Sequence, residues 1–125
     1  MNNRPIKFRV WTGISMEYNV VVGKYGAFYA LIDRNDSACL APTSKYHGDT
    51  HVMQYTGLKD KNGNPIYEGD ILEWKGEFIA EVFFEQENAA FVIKSKKGGG
   101  AFMSENYALN FQIIGNIFEH NNLLK

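Results

Sequence analysis

From His51 onward the sequence breaks into short runs of β-branched, aromatic and aliphatic residues, each ended by turn-forming residues. His51-Val52-Met53-Gln54-Tyr55-Thr56 stops at Gly57, and Ile71-Leu72-Glu73-Trp74 stops at Lys75-Gly76-Glu77. Phe78 to Phe84 stops at Gln86-Glu87-Asn88, and Ala90 to Ser95 stops at Lys96-Lys97-Gly98-Gly99-Gly100. Asn62-Gly63 is a strong turn pair because both residues tolerate positive φ, and Gly69-Asp70 suits a tight bend. No run gives a helix the length to bury a stripe, whereas strands of this size need only alternate pairing and turning. A string of short strands limits its exposed edges by closing or curling on itself, which predicts a small SH3-like barrel or a curled antiparallel sheet.

The N-terminal part reads as strands as well. Ile6-Lys7-Phe8-Arg9-Val10-Trp11 alternates apolar and polar residues, so a period of two puts Ile6, Phe8 and Val10 inward and Lys7, Arg9 and Trp11 outward. Met16 to Val22 reads as a second strand, hairpinned to the first through a loop near Thr12 to Ser15. Gly26 to Ile32 fits a strand or a short buried helix by periodicity, and Phe28, Tyr29 and Ile32, punctuated by Gly23 and Gly26, favour the strand. Asp33 to Thr50, with Asn35-Asp36-Ser37, Pro42 and His47-Gly48-Asp49, reads as a long loop. Ala108 to Phe118 reads as a last strand that turns at Gly115-Asn116. Helical expectations are confined to a turn near Ser104 to Tyr107 and to the tail around Asn121 to Leu124. The fold class expected is mainly β, an N-terminal strand hairpin region packed beside a C-terminal barrel-like unit. The organisation expected is one domain over 1–125, divided into 1–50, with a loop at 33–50, and 51–125.

Bulk properties narrow the function classes. A chain of 125 residues with 45% hydrophobic and 14% aromatic residues can bury a core. Its formal net charge of -1 gives no global attraction to nucleic acid or anionic lipid. One cysteine, Cys39, excludes an intramolecular disulfide. Met1-Asn2-Asn3-Arg4-Pro5 leads into Lys7 and Arg9 without the apolar run of a secretory signal, and no stretch reaches the roughly 20 apolar residues of a membrane span. The expectation is a soluble cytoplasmic protein with no membrane association.

Three stretches resemble the YopX family of phage and prophage proteins. They are Ile6-Lys7-Phe8-Arg9-Val10-Trp11, then Met53-Gln54-Tyr55-Thr56-Gly57-Leu58-Lys59-Asp60-Lys61-Asn62-Gly63 continued by Ile66-Tyr67-Glu68-Gly69-Asp70-Ile71, and finally Ile113-Ile114-Gly115-Asn116-Ile117-Phe118-Glu119. They occur in the family's order and span nearly the whole chain. The sequence departs from the usual pattern at Thr12, where members commonly carry Asp, so no role for that carboxylate carries over. The resemblance implies a small, mainly β protein of phage or prophage origin and implies no activity. The central motif also has a plain structural basis, since Asp60 and Asp70 can accept from neighbouring backbone N–H groups.

Each chemical constellation has a structural counterpart. Cys39, His47, Asp49 and His51 are competent metal ligands, but they lack the paired, tight spacing of a zinc site and sit in a polar stretch. Asp60, Glu68 and Asp70 could form an acid–base pair, but Glu68-Gly69-Asp70 reads as a turn. No phosphate loop or dinucleotide fingerprint is present, so neither catalysis, a cofactor nor a small-molecule substrate is expected. Single-stranded nucleic acid is the alternative reading, with Arg9, Lys75, Lys94, Lys96 and Lys97 meeting phosphates beside Trp11 and Trp74. Glu73, Glu77, Glu81, Glu85 and Glu87 in the same region oppose it. The leading expectation is a non-enzymatic interaction protein, a homo-oligomer or one that binds a protein partner. Its aromatics, among them Tyr25, Phe28 and Tyr29, outnumber what a small core needs. Trp11, Tyr55, Tyr67 and Trp74 are the expected contact residues.

Overall fold

The computed structural model describes residues 5–18, 20–23, 26–32, 38–42 and 51–124. They fall into two compact units, Ile6–Gln54, and Tyr55–Lys125 together with Met1–Pro5. The fold is mainly β, as expected from the strand-and-turn spacing.

In the first unit β1 (Phe8–Trp11) forms a hairpin with β2 (Met16–Glu17), in the register Val10↔Glu17 and Trp11↔Met16. Thr12 shapes the connection. Its N–H donates to Ser15 O at 3.1 Å, and its hydroxyl accepts from the N–H groups of Ile14 and Ser15 at 3.3 and 3.2 Å. A short oxygen side chain is what this turn requires, and the Thr12 hydroxyl supplies it. β3 (Val20–Gly23), β4 (Gly26–Ile32) and β5 (Ala38–Pro42) form a three-stranded antiparallel sheet. β6 (His51–Lys59) pairs its first residues with β1, Phe8 opposite Gln54 and Trp11 opposite His51.

Three expectations are corrected here. The strand foreseen over Met16 to Val22 divides into β2 and β3. Part of the loop foreseen over Asp33 to Thr50 is β5, because the apolar run Ala38-Cys39-Leu40-Ala41 pairs along β4; residues 33–37 and 43–50 lie outside the described residues. The two faces of β1 do not separate by polarity. Ile6, expected inward, is exposed, and Arg9, expected outward, is 3% exposed. β1 is flanked by β2 and β6, and Tyr18 covers Arg9: the guanidinium carbon lies 6.0 Å from the ring centroid, and Nη1 donates to the phenolic oxygen at 3.4 Å.

In the second unit the end of β6 pairs with β7 (Pro65–Tyr67), and the ladder slips between Tyr55 and Lys59. The intervening turn is organised by Asp60, whose Oδ1 accepts the N–H groups of Asn62 and Asn64, each at 2.9 Å. Gly63 completes it with a φ of 83°, a conformation that an L side chain disfavours. β8 (Asp70–Trp74), β9 (Phe78–Glu85), β10 (Ala90–Ser95), β11 (Gly100–Phe102) and β12 (Gln112–Asn116) build one antiparallel sheet in the order β11-β10-β9-β8-β12. The sheet curls without pairing its two edge strands to each other.

The hairpin foreseen at Lys75-Gly76-Glu77 joins β8 to β9, with φ of 57° at Lys75 and 72° at Gly76. Gln86–Asn88 is a 3₁₀ turn at the foreseen bend, and Ser104 caps a short helix α1 (Glu105–Ala108) by accepting the Tyr107 N–H at 3.2 Å. Asn121–Leu124 is a 3₁₀ turn. The last strand starts at Gln112, later than expected, because α1 and its following turn occupy Ala108 to Asn110.

The core of this unit gathers Ile66, Leu72, Ala80, Val82, Ile93, Ala108 and Phe111, all with no exposed surface. Burying each of the larger side chains among them, Ile66, Leu72, Val82, Ile93 and Phe111, contributes roughly 1.5–3 kcal/mol, so these residues dominate the unit's stability. Phe111 sits among three rings, with centroids 5.2 Å away at Tyr107, 6.0 Å at Phe78 and 6.1 Å at Trp74. Among the described residues no helix is long and apolar enough to cross a membrane.

Candidate interaction face on the sheet of the second unit

The period-two alternation along β9, β10 and β11 sorts their side chains onto two faces. Ala80, Val82, Ile93 and Ala101 turn to the core. The register Val92↔Phe83 and Val92↔Phe102 therefore aligns Phe83, Val92 and Phe102 as one row across the opposite, outer face. The neighbouring row is Glu81, Lys94 and Gly100, again by register. Phe83, Val92 and Phe102, with Glu85, Lys94 and Gly100, line a groove of about 350 Å³ on this face. Val92 forms its floor at 5% exposure, while Phe102 on the edge strand is 60% exposed.

An apolar row of this kind beside a charged row combines aromatic area with polar groups, the composition that contact surfaces favour. Phe102 offers ring area at little conformational cost, because it has only two side-chain torsions to fix. Glu81 stands beside Lys94 across the ladder. Partial burial pushes the Glu81 carboxyl above the usual carboxylate range, and the Lys94 ammonium only partly offsets this. The face thus holds a half-buried carboxyl and an exposed ammonium side by side next to aromatic surface.

The open edge adds backbone groups. β11 pairs with β10 on one side, and among the described residues no strand pairs with its other side. The hairpin that presents it is tight. Ser95 N–H donates to Gly99 O at 2.9 Å, and Gly98 N–H donates to Ser95 O at 3.0 Å. Gly100, foreseen as the end of a loop, is already in the strand. A Cβ there would stand 2.7 Å from Ile93 O, so only glycine fits the approach of the two chains.

The residues singled out from sequence are distributed differently. Tyr55 and Tyr67 are 5% and 7% exposed and lie ring to ring, with centroids 5.6 Å apart. Placed this way they hold β6 to β7 and present no ring to a partner, which corrects their assignment as contact residues. Trp74 lies at the rim of the core: its ring packs on Phe111, and the Lys75 ammonium stands 5.2 Å from its centroid. Trp11 is half-buried in β1, and Arg9 beside it is buried, which removes that guanidinium from any surface patch. Lys94, Lys96 and Lys97 are exposed and belong to one hairpin, as the spacing suggested. Phe83, Val92 and Phe102 were missed. The signal for Phe102 lies in the sequence, an aromatic residue placed directly after Gly98-Gly99-Gly100 and Ala101, where a new strand can start.

The acid–base and metal candidates are also placed. Asp60 and Asp70 are 1% and 2% exposed. Both accept from backbone, Asp60 Oδ2 from the Ile113 N–H at 3.0 Å and Asp70 Oδ2 from the Tyr67 N–H at 2.8 Å. They shape turns in the manner foreseen for them. Cys39 lies in β5, His51 starts β6, and His47 and Asp49 lie outside the described residues. Among the described residues no group of three or more His, Cys, Asp or Glu side chains is disposed to hold a metal ion.

The chain is similar in fold to two solved bacterial proteins. Over 95% of both chains it matches the X-ray structure of protein yopX from Bacillus subtilis, with a TM-score of 0.66 and 18% identity. Over 98% of this chain and 100% of the other, it matches the crystal structure of protein EF1440 from Enterococcus faecalis, with a TM-score of 0.63 and 24% identity. No curated protein matches the chain. The YopX protein family matches residues 7–125, which takes in the three stretches that carried the resemblance except for Ile6, and the chain belongs to the YopX family.

Proposed function

We propose that this chain is a non-enzymatic interaction protein of phage or prophage origin, and that it associates with itself through the outer face of β9, β10 and β11. One observation carries the reading. The Phe83–Val92–Phe102 row ends on an edge strand whose outer side is unpaired among the described residues, so apolar area and backbone hydrogen-bonding groups are offered together. A cytoplasmic location in the bacterial host fits this role.

A second reading has one observation in its favour. Lys94, Lys96 and Lys97 are exposed on the hairpin that also carries Phe102, which pairs cations with a stacking surface as single-strand binders do. Glu81 and Glu85 on the same face weigh against it, as does the net charge of -1.

Light scattering after size exclusion separates the two. Loaded between roughly 10 µM and 1 mM, self-association gives a mass that rises with concentration above that of the monomer and is indifferent to a random single-stranded oligonucleotide. A monomeric mass with an oligonucleotide-dependent shift that fades as salt rises overturns self-association in favour of the second reading.

A further inference from the structure

The exposed edge of β11 is complementary to itself, and we infer that its occupant is the β11 edge of a second copy of this chain, related by a two-fold axis at Ala101. The inference rests on the self-association reading above and adds its register.

The backbone sets that register. Ser95 N–H donates to Gly99 O at 2.9 Å and Met103 N–H donates to Phe91 O at 3.2 Å. In an antiparallel ladder, donors and acceptors alternate along each strand. Gly99, Ala101 and Met103 therefore turn their backbone groups to β10, and Gly100 and Phe102 turn theirs to the open side. A two-fold axis at Ala101 sets Gly100 opposite Phe102 of the second copy, and Phe102 opposite its Gly100. Each of these pairs exchanges both N–H···O=C bonds. An axis at Gly100 or at Phe102 instead sends one outward residue against the Gly98 turn or the Ser104 helix cap. Ala101 alone keeps both pairs within the strands.

The side chains agree with that register. Gly100 carries no side chain, so the Phe102 ring of the second copy has room to lie over it, toward the aliphatic stem and ammonium of Lys94. The antiparallel arrangement also brings the Lys96-Lys97 turn at one end of β11 beside the Ser104-Glu105 helix start at the opposite end of the second copy's strand, cation against carboxylate. Lys96, Lys97 and Glu105 are all exposed. A three-residue strand makes a small interface, which places the dimer in the weak, transient class.

Amide exchange reads the register directly, on assigned NMR spectra recorded between roughly 10 µM and 1 mM, the range a small interface calls for. The Ala101 N–H is protected at every concentration, because it bonds within the chain. The Gly100 and Phe102 N–H groups gain protection as concentration rises. In Phe102→Glu the N–H groups of residues 100 and 102 exchange freely throughout, and Ala101 stays protected. Free exchange of Gly100 and Phe102 in the wild type at about 1 mM overturns the inference. If light scattering still shows association then, the self-association reading stands and the contact lies elsewhere; if the wild type is monomeric, both fail. A second test does not depend on Phe102→Glu keeping β11 in place. Lys97→Glu weakens association about fivefold, and adding Glu105→Lys restores it. Absence of restoration overturns the register.

Discussion

The Asp60 carboxylate and the Ile113 backbone N–H, 53 residues apart, are joined by a hydrogen bond of 3.0 Å. With its other oxygen Asp60 holds the Asn62 and Asn64 N–H groups, so one buried carboxylate sets a turn and ties it to the last strand of the sheet. Charge-assisted bonds to a buried acceptor are strong, and removing that acceptor leaves three donors to find other partners. Asp60→Ala is expected to lower unfolding stability by about 3 kcal/mol. Urea denaturation measures it, and a loss below about 1 kcal/mol contradicts the role given to Asp60.

Tyr67 is expected to behave as a core residue. It is 7% exposed against Tyr55, so Tyr67→Ala removes a ring from a packed site. A loss of about 3 kcal/mol follows, in the range for aromatic truncations. Thermal unfolding together with scattering mass checks this. A variant that keeps its stability while association weakens would return Tyr67 to the contact surface.

Trp74 and Phe111 offer a graded comparison. Phe111 has no exposed surface, whereas Trp74 is 36% exposed and meets Phe111 from the rim. Phe111→Ala is expected to destabilise by about 4 kcal/mol and Trp74→Ala by about 2 kcal/mol. Chemical denaturation of the two variants side by side gives the order. A neutral Trp74→Ala would mean that its ring is free to serve as a contact.

The strands and tight turns were legible because they rest on local chemistry. Lys75-Gly76 adopts the positive φ values that a hairpin needs, and Asp60 and Asp70 accept the backbone donors that their turn positions suggest. What failed depends on neighbours that sequence order does not reveal. Arg9 alternates correctly with Val10, yet it is buried, with the Tyr18 ring lying against its guanidinium. Tyr55 and Tyr67 carry the chemistry of interface residues, and only the pairing of β6 with β7 shows that each buries the other. The Phe83–Val92–Phe102 row is invisible as a motif, since its members are adjacent only through the register of three strands.

The raised affinity of Glu81 for its proton gives a pH-dependent prediction. Burial lifts its folded-state pKa above the ordinary value of 4.5, and Lys94 only partly opposes this. The folded state then binds the proton more strongly than the unfolded state does, so stability falls as pH rises from 4.5 through the folded-state pKa. Glu81→Gln removes that ionisation. Its melting temperature is expected to exceed that of the wild type at pH 7, with the gap closing as pH falls below 4.5. A gap that is independent of pH would contradict the assignment.

The central claim is that the outer face carrying Phe102, and not the buried tyrosine pair, mediates contact. Sedimentation velocity of Phe102→Glu beside the wild type at matched high concentration tests it most directly. The account predicts a wild type that sediments toward the mass of a dimer and a variant at the monomer mass, with association weakened about tenfold or more and an unchanged melting temperature. Equal masses for the two proteins, whether both monomeric or both associated, would contradict it.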